Sequence, residues 1–275
     1  MKDCAHQTNV FIATLSQPNT YNLRMGIRNS WKKDIPKTFT HKFFIGLTQN
    51  ESLQKMNENE AQKYGDIVFT NLIDSYLNLT LKMSSVFQWQ QKFCPKISFF
   101  LRADEDTVLD VSRFQHYLNI KFNMLKRSYG NTTIFGTLLK NSPVFRDPNG
   151  KWYVPYELYN DTNFPPYESG SSYLAAPWAI ELMLREAKNQ KYITVDDAFF
   201  TGIIAEKAKI PRISAHRHFA YRNPLATNSW DQQCDDNGIP LLFSIVDENG
   251  EIKISPNGHE IALKKLKELK CSLEK

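Results

Sequence analysis

The first hundred residues alternate between short apolar runs and amphipathic stretches, and this alternation constrains the fold more than any other feature of the chain. The apolar runs are rich in β-branched and aromatic residues and predict four strands: 8–15, 42–48, 66–69 and 97–101. Apolar residues at helical spacing predict the helices between them: 20–33, 51–63 and 75–92. This order indicates an α/β fold with a mostly parallel central sheet flanked by helices, in which ligands bind at the carboxyl ends of the strands.

The second half of the chain has a different character. Residues 129–178 are rich in glycine, proline, asparagine and aromatic side chains, which is typical of irregular strands and long loops that carry binding sites. Helical spacing returns later and predicts two further helices: 178–188 and 197–208. Residues 239–254 predict a β-hairpin that turns at Asn249-Gly250.

An acidic cluster follows directly after the apolar strand 97–101. On a strand, side chains two residues apart point to the same face, so Asp104 and Asp106 are expected to converge while Glu105 points away. Two carboxylates held close repel each other, and a hard divalent cation relieves that repulsion. The position at the end of a buried strand favours a metal site, and the alternative is a solvated acidic turn.

A second acidic pair, Asp196-Asp197, precedes the helix predicted at 197–208. Thr194 and Asp197 have the spacing of a variant capping box, and acids in a first turn complement the helix dipole. The functional alternative is a carboxylate that accepts a proton from an attacking hydroxyl group. The residues alone leave both interpretations open, and the capping role explains the pair by itself.

Composition limits the class of protein. The 275 residues are 41% hydrophobic and 23% charged, which fits a globular domain, and they carry a net charge of +5 with the charges interleaved. Because no basic stripe with interleaved aromatic residues occurs, nucleic-acid binding is not expected. No run approaches the roughly 20 apolar residues of a membrane-spanning helix, and no signal-peptide pattern opens the chain.

Four cysteines and three glycosylation sequons bear on the compartment. Cys4, Cys94, Cys234 and Cys271 allow three disulfide connectivities, and free buried thiols are the alternative. Sequons begin at Asn78, Asn131 and Asn160 and favour the secretory pathway slightly, since such triplets also arise by chance.

Several blocks together resemble the β-1,3-glycosyltransferase family that includes β-1,3-galactosyltransferases and β-1,3-N-acetylglucosaminyltransferases (glycosyltransferase family 31). Eight blocks occur in the family's order between about residues 10 and 219. They are Arg24–Trp31, Phe43–Gly46, Tyr64–Ile67 with Asp74–Lys82, Trp89 and Cys94, Arg102–Asp106, Lys151–Val154, Phe164–Gly170, and Asp196–Gly202. The sequence differs from the family's pattern at several positions, with Arg102 for Lys, Glu105 for the central Asp, Asp196 for Glu and Ala198 for Val.

The resemblance implies a GT-A type nucleotide-sugar-binding fold with a loop-rich acceptor half. It implies a catalytic domain at 8–220, followed by an extension at 221–275 with a hairpin and a helix packed on the domain. Asp106 would be the main metal ligand, Asp104 would face the nucleotide and also serve the metal, and Asp197 would be the catalytic base.

The resemblance also implies further site residues. Arg24 and Arg28 would help to hold the diphosphate, since a guanidinium suits phosphate oxygens. His216 would complete the metal site, with His218 as the second candidate. The substrate loop would include Trp152, Tyr167, Gly170, Tyr173 and Asp196. The three aromatic residues are candidates for stacking on sugars, and packing beneath a long loop is the equal alternative.

The implied activity is an inverting hexosyltransferase. It would transfer galactose or an N-acetylhexosamine from a UDP-sugar to a hydroxyl of an oligosaccharide on a glycoprotein or glycolipid, in β-1,3 linkage, with Mn²⁺ or Mg²⁺. The family's type II membrane proteins imply the Golgi lumen, with membrane attachment only through an anchor that this sequence does not show. The alternatives are a non-catalytic UDP-sugar or glycan-binding relative and an unrelated phosphoryl-transfer enzyme, although no glycine-rich phosphate loop is visible.

Overall fold

The computed structural model describes residue 4 and residues 7–220, 233–247 and 251–271. Its main sheet has seven strands: β1 Val10–Leu15, β2 Phe39–Leu47, β3 Ile67–Ile73, β4 Phe99–Asp104, β6 Ile134–Leu139, β7 Tyr167–Ala175 and β8 Arg212–Ser214. The strands lie in the order β3-β2-β1-β4-β7-β6-β8. Among the strands that the structure describes in this sheet, β7 alone runs antiparallel to its neighbours. The predicted α/β class with a mostly parallel sheet is confirmed.

Helices cover the sheet, and their ends follow local chemistry. The helices are α1 Tyr21–Asn29, α2 Glu51–Tyr64, α3 Leu79–Phe93, α4 Val111–Tyr117, α5 Asn123–Ser128, α6 Pro177–Ala187, α7 Ala205–Lys207, α8 Glu251–Ile254 and α9 Gly258–Glu268. The Asn50 side chain accepts from the N–H of Leu53 and begins α2, and Gly65 ends it with φ of 64°. A π-helical stretch, Ala198–Ile204, leads directly into α7. Helices α4 and α5 fall where no element was predicted.

Alternation along the central strand β1 builds two separate core layers. Phe11 and Ala13 face one side of the sheet and pack with α3, where the ring of Trp89 lies 5.1 Å from that of Phe11. Val10 and Ile12 face the other side and pack with the helices α1, α4 and α9. Because both faces are covered, β1 is fully buried, as expected for a central parallel strand.

A second, smaller sheet contradicts the predicted hairpin. Strands β5 Thr107–Leu109, β10 Ser244–Val246 and β9 Phe219–Ala220 lie in the order β5-β10-β9. The predicted turn at Asn249-Gly250 lies outside the described residues, but Glu251–Ile254, the predicted second strand, is the helix α8. Strand β10 pairs instead with β5, more than 130 residues earlier, a long-range contact that local turn chemistry does not reveal.

Two disulfides tie distant parts of the chain together. They join Cys4 to Cys94 and Cys234 to Cys271, which selects one of the three possible connectivities. No helix in the described part of the chain combines the length and the apolar character needed to cross a membrane.

Candidate active site

A cleft of about 1060 Å³ lies at the carboxyl ends of β1 and β4, where such sheets bind ligands. The two strands are neighbours, and Leu15 at the end of β1 pairs with Asp104 at the end of β4. The cleft brings together both acidic groups that the sequence analysis identified, Asp104–Asp106 and Asp196-Asp197. Its volume is at the upper end of the range for small-molecule sites.

The first acidic group is a tight turn rather than a continued strand. Strand β4 ends at Asp104, residues 105 and 106 form the turn, and β5 begins at Thr107. Strand alternation therefore does not set the direction of Glu105. Its carboxylate accepts hydrogen bonds from the Thr20 hydroxyl (2.5 Å) and from the N–H of Gln17 (3.2 Å), which fixes it against the loop after β1.

A buried guanidinium connects the two acidic groups. Arg102 is 2 % exposed, and its Nη2 lies 3.2 Å from Asp104 Oδ1 while its Nη1 lies 2.8 Å from Asp196 Oδ2. Partial desolvation raises the pKa of Asp104 to about 8, Arg102 opposes this, and the carboxylates of Asp106, Asp196 and Asp197 add to it. Burial likewise raises the pKa of Asp196 to about 6. Both carboxyl groups therefore keep their protons to higher pH than exposed carboxyl groups do.

Backbone groups orient Asp197. Its Oδ2 accepts a hydrogen bond from the N–H of Gly170 (2.7 Å), and its Oδ1 accepts one from the N–H of Ala198 (2.8 Å). The predicted capping box is not seen, and the hydroxyl of Thr194 donates to the carbonyl of Tyr153. Asp197 is therefore a carboxylate with a fixed orientation that lines the cleft.

The predicted third metal ligand does not line the cleft. His216 is exposed outside the cleft, and its Nδ1 lies 3.1 Å from the Ser214 hydroxyl. The second candidate, His218, is buried among aromatic rings, with Nδ1 bonded to the carbonyl of Leu241. Neither histidine lines the cleft, so the structure gives no support to the predicted metal role of either. Among the described residues, no three acidic, histidine or cysteine side chains form a group that could hold a metal ion.

The two carboxylates that remain still suit a hard divalent cation. Such ions bind through one or two carboxylates when substrate phosphates and water supply the other oxygens. Burial is the largest cause of the raised pKa of Asp104, neighbouring carboxylates add to it, and a bound cation would oppose both effects. The donor set of Asp104 and Asp106 therefore fits Mn²⁺ or Mg²⁺ bound together with a diphosphate.

The prediction that Arg24 and Arg28 hold a diphosphate does not fit the structure. Every N–H of the Arg24 guanidinium has a partner, with Glu60 bound through two bonds of 2.9 and 2.6 Å. The remaining partners are Asn57, Ser16 and the carbonyl of Gln17. Arg28 is bound in the same way, to Glu60 and Asp66. Both arginines stabilise the packing of α1 against α2 and neither lines the cleft.

The predicted substrate loop divides into cleft residues and core residues. Trp152, 45 % exposed, and Gly170 line the cleft, as does Asp196. Tyr167 lies in the core, edge-on to the Phe164 ring at 6.0 Å. Tyr173 is fully buried with Arg102 over its ring. Neither tyrosine can stack on a sugar in the cleft, because strand alternation turns both into the core.

Sequence reasoning assigned no role to three cleft residues on the other wall, Lys82, Asp74 and Tyr76. The ammonium of Lys82 donates to the carbonyl of Ser16 (2.6 Å) and to Asp74 (2.7 Å), and the same Asp74 oxygen accepts from the N–H of Gly46 (2.6 Å). All three belong to the block Asp74–Lys82, so the resemblance contained the signal that could have found them.

Comparisons of the sequence and of the structure relate the chain to known proteins. The Galactosyltransferase family model matches residues 22–216. Human beta-1,3-galactosyltransferase 5 is 30% identical over 216 residues, 76% of this chain and 66% of that protein. Mouse beta-1,3-galactosyltransferase 1 is 29% identical over 194 residues, 69% of this chain and 57% of that protein. The aligned region thus spans slightly less than two thirds of the human relative.

A solved structure of a glycosyltransferase involved in the glycosylation of the major capsid of PBCV-1 covers 92% of this chain and 99% of its own, at TM-score 0.43 and 10% identity. From the family match, the chain belongs to the Galactosyltransferase family.

Proposed function

We propose that the protein is an inverting hexosyltransferase that moves galactose or an N-acetylhexosamine from a UDP-sugar to a glycan hydroxyl in β-1,3 linkage. The observation that carries the proposal is the joint placement of the acidic turn, Asp104–Asp106, and an oriented Asp197 in one cleft. Beta-1,3-galactosyltransferases among its relatives support the linkage and the sugar class. Residues 8–220 would form the catalytic domain and 221–275 an extension.

The acidic turn is the proposed donor site. Asp106 and Asp104 would hold Mn²⁺ or Mg²⁺ against the diphosphate of the UDP-sugar, with Asp104 also facing the nucleotide. When bound, such an ion neutralises the charge that develops on the departing UDP. The loop after β1, which Thr20 and Gln17 tie to Glu105, would close the nucleotide end of the cleft.

Asp197 is the proposed base. The acceptor hydroxyl oxygen forms a bond to the anomeric carbon, the bond from that carbon to the phosphate oxygen breaks with its electron pair leaving on UDP, and Asp197 takes the hydroxyl proton. Attack opposite to the leaving group inverts the anomeric configuration. The two backbone N–H groups that bind Asp197 fix its position before substrate arrives, which lowers the cost of orientation during the reaction.

The acceptor would enter past the exposed ring of Trp152, which offers an apolar face to a sugar. We propose an oligosaccharide on a glycoprotein or glycolipid as the acceptor and the Golgi lumen as the compartment. The two disulfides support an oxidising compartment of this kind.

Incubation with a panel of UDP-sugars and mixed oligosaccharide acceptors tests the proposal. We expect Mn²⁺-dependent UDP release with one donor, abolished by a chelator, and a product whose new linkage is β-1,3 by NMR. Binding of UDP without turnover of any donor would favour a non-catalytic relative. Failure to bind UDP at all would contradict the proposal.

A further inference from the structure

The acidic turn is held from outside the region that the family model matches. We call residues 233–247 and 251–271 the C-terminal segment, which follows the matched region 22–216. Its strand β10 pairs with β5, directly after the turn. The N–H of Asp247 donates to the carbonyl of Asp106 (3.2 Å), and His259 Nε2 lies 2.9 Å from the carbonyl oxygen of Glu105. Two successive carbonyls of the turn therefore depend on this segment.

The contact made by His259 has a defined donor. A carbonyl oxygen can only accept, so Nε2 carries the proton and donates to Glu105. The imidazole is 2 % exposed at the start of α9, and burial lowers the pKa of His259, which keeps the ring neutral. This hydrogen bond ties the backbone of Glu105 to the start of α9.

The opposite edge of the imidazole packs against Gly26 in α1. A Cβ at Gly26 would lie 2.3 Å from His259 Nδ1, closer than real contacts allow. A glycine inside a helix costs roughly 1 kcal/mol relative to alanine. Glycine at this position therefore gives the ring the space it needs to reach Glu105.

We propose that His259 is a positioning residue for the donor site, resting on the function proposed above. Its hydrogen bond holds the backbone of Glu105 on one side, while Thr20 holds the Glu105 carboxylate on the other. The neighbouring carboxylates of Asp104 and Asp106 thereby keep the separation that a divalent cation and a diphosphate require. The C-terminal segment completes the site without contributing a ligand.

The test measures UDP affinity in the presence of Mn²⁺, by calorimetry, alongside hydrogen–deuterium exchange of the turn. His259→Phe removes the donor and keeps the ring, Gly26→Ala displaces the ring and keeps the donor, and His259→Gln restores an N–H donor. The matched control is His116→Phe, because His116 also binds the C-terminal segment, at Asp235 (2.8 Å).

We expect His259→Phe and Gly26→Ala to weaken Mn²⁺-dependent UDP binding by about 10–100-fold, as loss of an orienting contact does around metal ligands. Both variants should also speed hydrogen–deuterium exchange of the amides at 104–107. His259→Gln retains an N–H donor, so its UDP affinity should stay within about threefold of that of the wild type. Unchanged affinity and exchange in His259→Phe, or equal loss in His259→Gln or in the His116 control, would overturn the proposal.

The exchange measurement separates this inference from the proposed function. If the wild-type protein binds no UDP, the function fails and the positioning role is judged on exchange alone. Faster exchange in His259→Phe and Gly26→Ala, but not in His259→Gln, then supports the positioning role. Equal exchange in these three variants and in His116→Phe overturns it.

Discussion

The N–H of Gly170 donates a hydrogen bond of 2.7 Å to Oδ2 of Asp197. Gly170 lies on β7, and Asp197 lies at the start of the π-helical stretch, so this bond joins the sheet to the helix that carries the proposed base. A Cβ at Gly170 would lie 2.8 Å from Arg102 Nη1 and 2.9 Å from Asp197 Oδ2. The absence of a side chain is therefore what allows the buried cation and the base to approach each other.

Gly170→Ala should lower kcat about 100-fold while changing the KM for the donor much less, because misplacing a base by even 1 Å costs about that much. The variant should remain folded, as judged by circular dichroism. Steady-state kinetics measures the effect, and Gly150→Ala in an exposed turn is the control. Wild-type kcat in Gly170→Ala would show that the Asp197 position does not matter.

Arg102→Met should destabilise the protein by about 3–5 kcal/mol, because it leaves the buried carboxylate of Asp196 without its cation. Urea unfolding at neutral pH measures the change. Lys267→Met is the control, since the Lys267–Asp34 pair is exposed and should contribute less than about 1 kcal/mol. Equal free-energy losses in the two variants would contradict the central position assigned to Arg102.

Arg24→Met should destabilise the protein by about 3–5 kcal/mol, since it breaks a fully buried ion pair with Glu60. The affinity of the folded protein for UDP should be unchanged, because Arg24 does not line the cleft. Urea unfolding and calorimetry measure the two quantities, with the exposed Lys55→Met as control. Weaker UDP binding at unchanged stability would restore Arg24 as a phosphate ligand.

Glu168→Gln should flatten the dependence of stability on pH. Glu168 is fully buried, and neither carboxyl oxygen has a hydrogen-bond partner among the described residues. Burial raises the pKa of Glu168 to about 9, against the opposing charge of Arg212. The group is thus protonated when folded and ionised when unfolded at neutral pH, so its ionisation favours unfolding as pH rises from about 4.5 to about 9.

The expected contribution of Glu168 is a loss of at most about 1.4 kcal/mol per pH unit across that range. Urea unfolding of Glu168→Gln and of the exposed control Glu157→Gln from pH 5 to 9 measures it. Glu168→Gln should gain stability over wild type, and the gain should grow with pH. A gain independent of pH would mean that Glu168 is ionised in the folded protein.

Elements that depend on local patterns were predictable from the sequence. Strands β1 to β4 and helices α1 to α3 follow hydrophobic periodicity, and each was found within a few residues of its prediction. The hairpin failed because β10 pairs with the distant β5, and a favourable Asn-Gly turn signal says nothing about a partner far along the chain.

The positions of the acidic residues were predictable where motif and topology agree. Asp104, Asp106 and Asp197 were all placed in the cleft, because each follows or faces the end of a central strand. The prediction that Arg24 binds the diphosphate failed because its partner Glu60 is 36 residues away. Only tertiary packing shows that the charge of Arg24 is already paired. No sequence pattern points to the contact made by His259, since its partner is a backbone carbonyl on a distant turn.

The most direct test compares Asp197→Asn with Asp106→Asn for Mn²⁺-dependent UDP binding and for sugar transfer. If Asp197 is the base and Asp106 holds the metal, Asp197→Asn binds UDP like the wild type but transfers sugar about 100–10,000-fold more slowly. Asp106→Asn loses both binding and transfer. Transfer by Asp197→Asn at the wild-type rate, or wild-type UDP affinity in Asp106→Asn, would contradict the account.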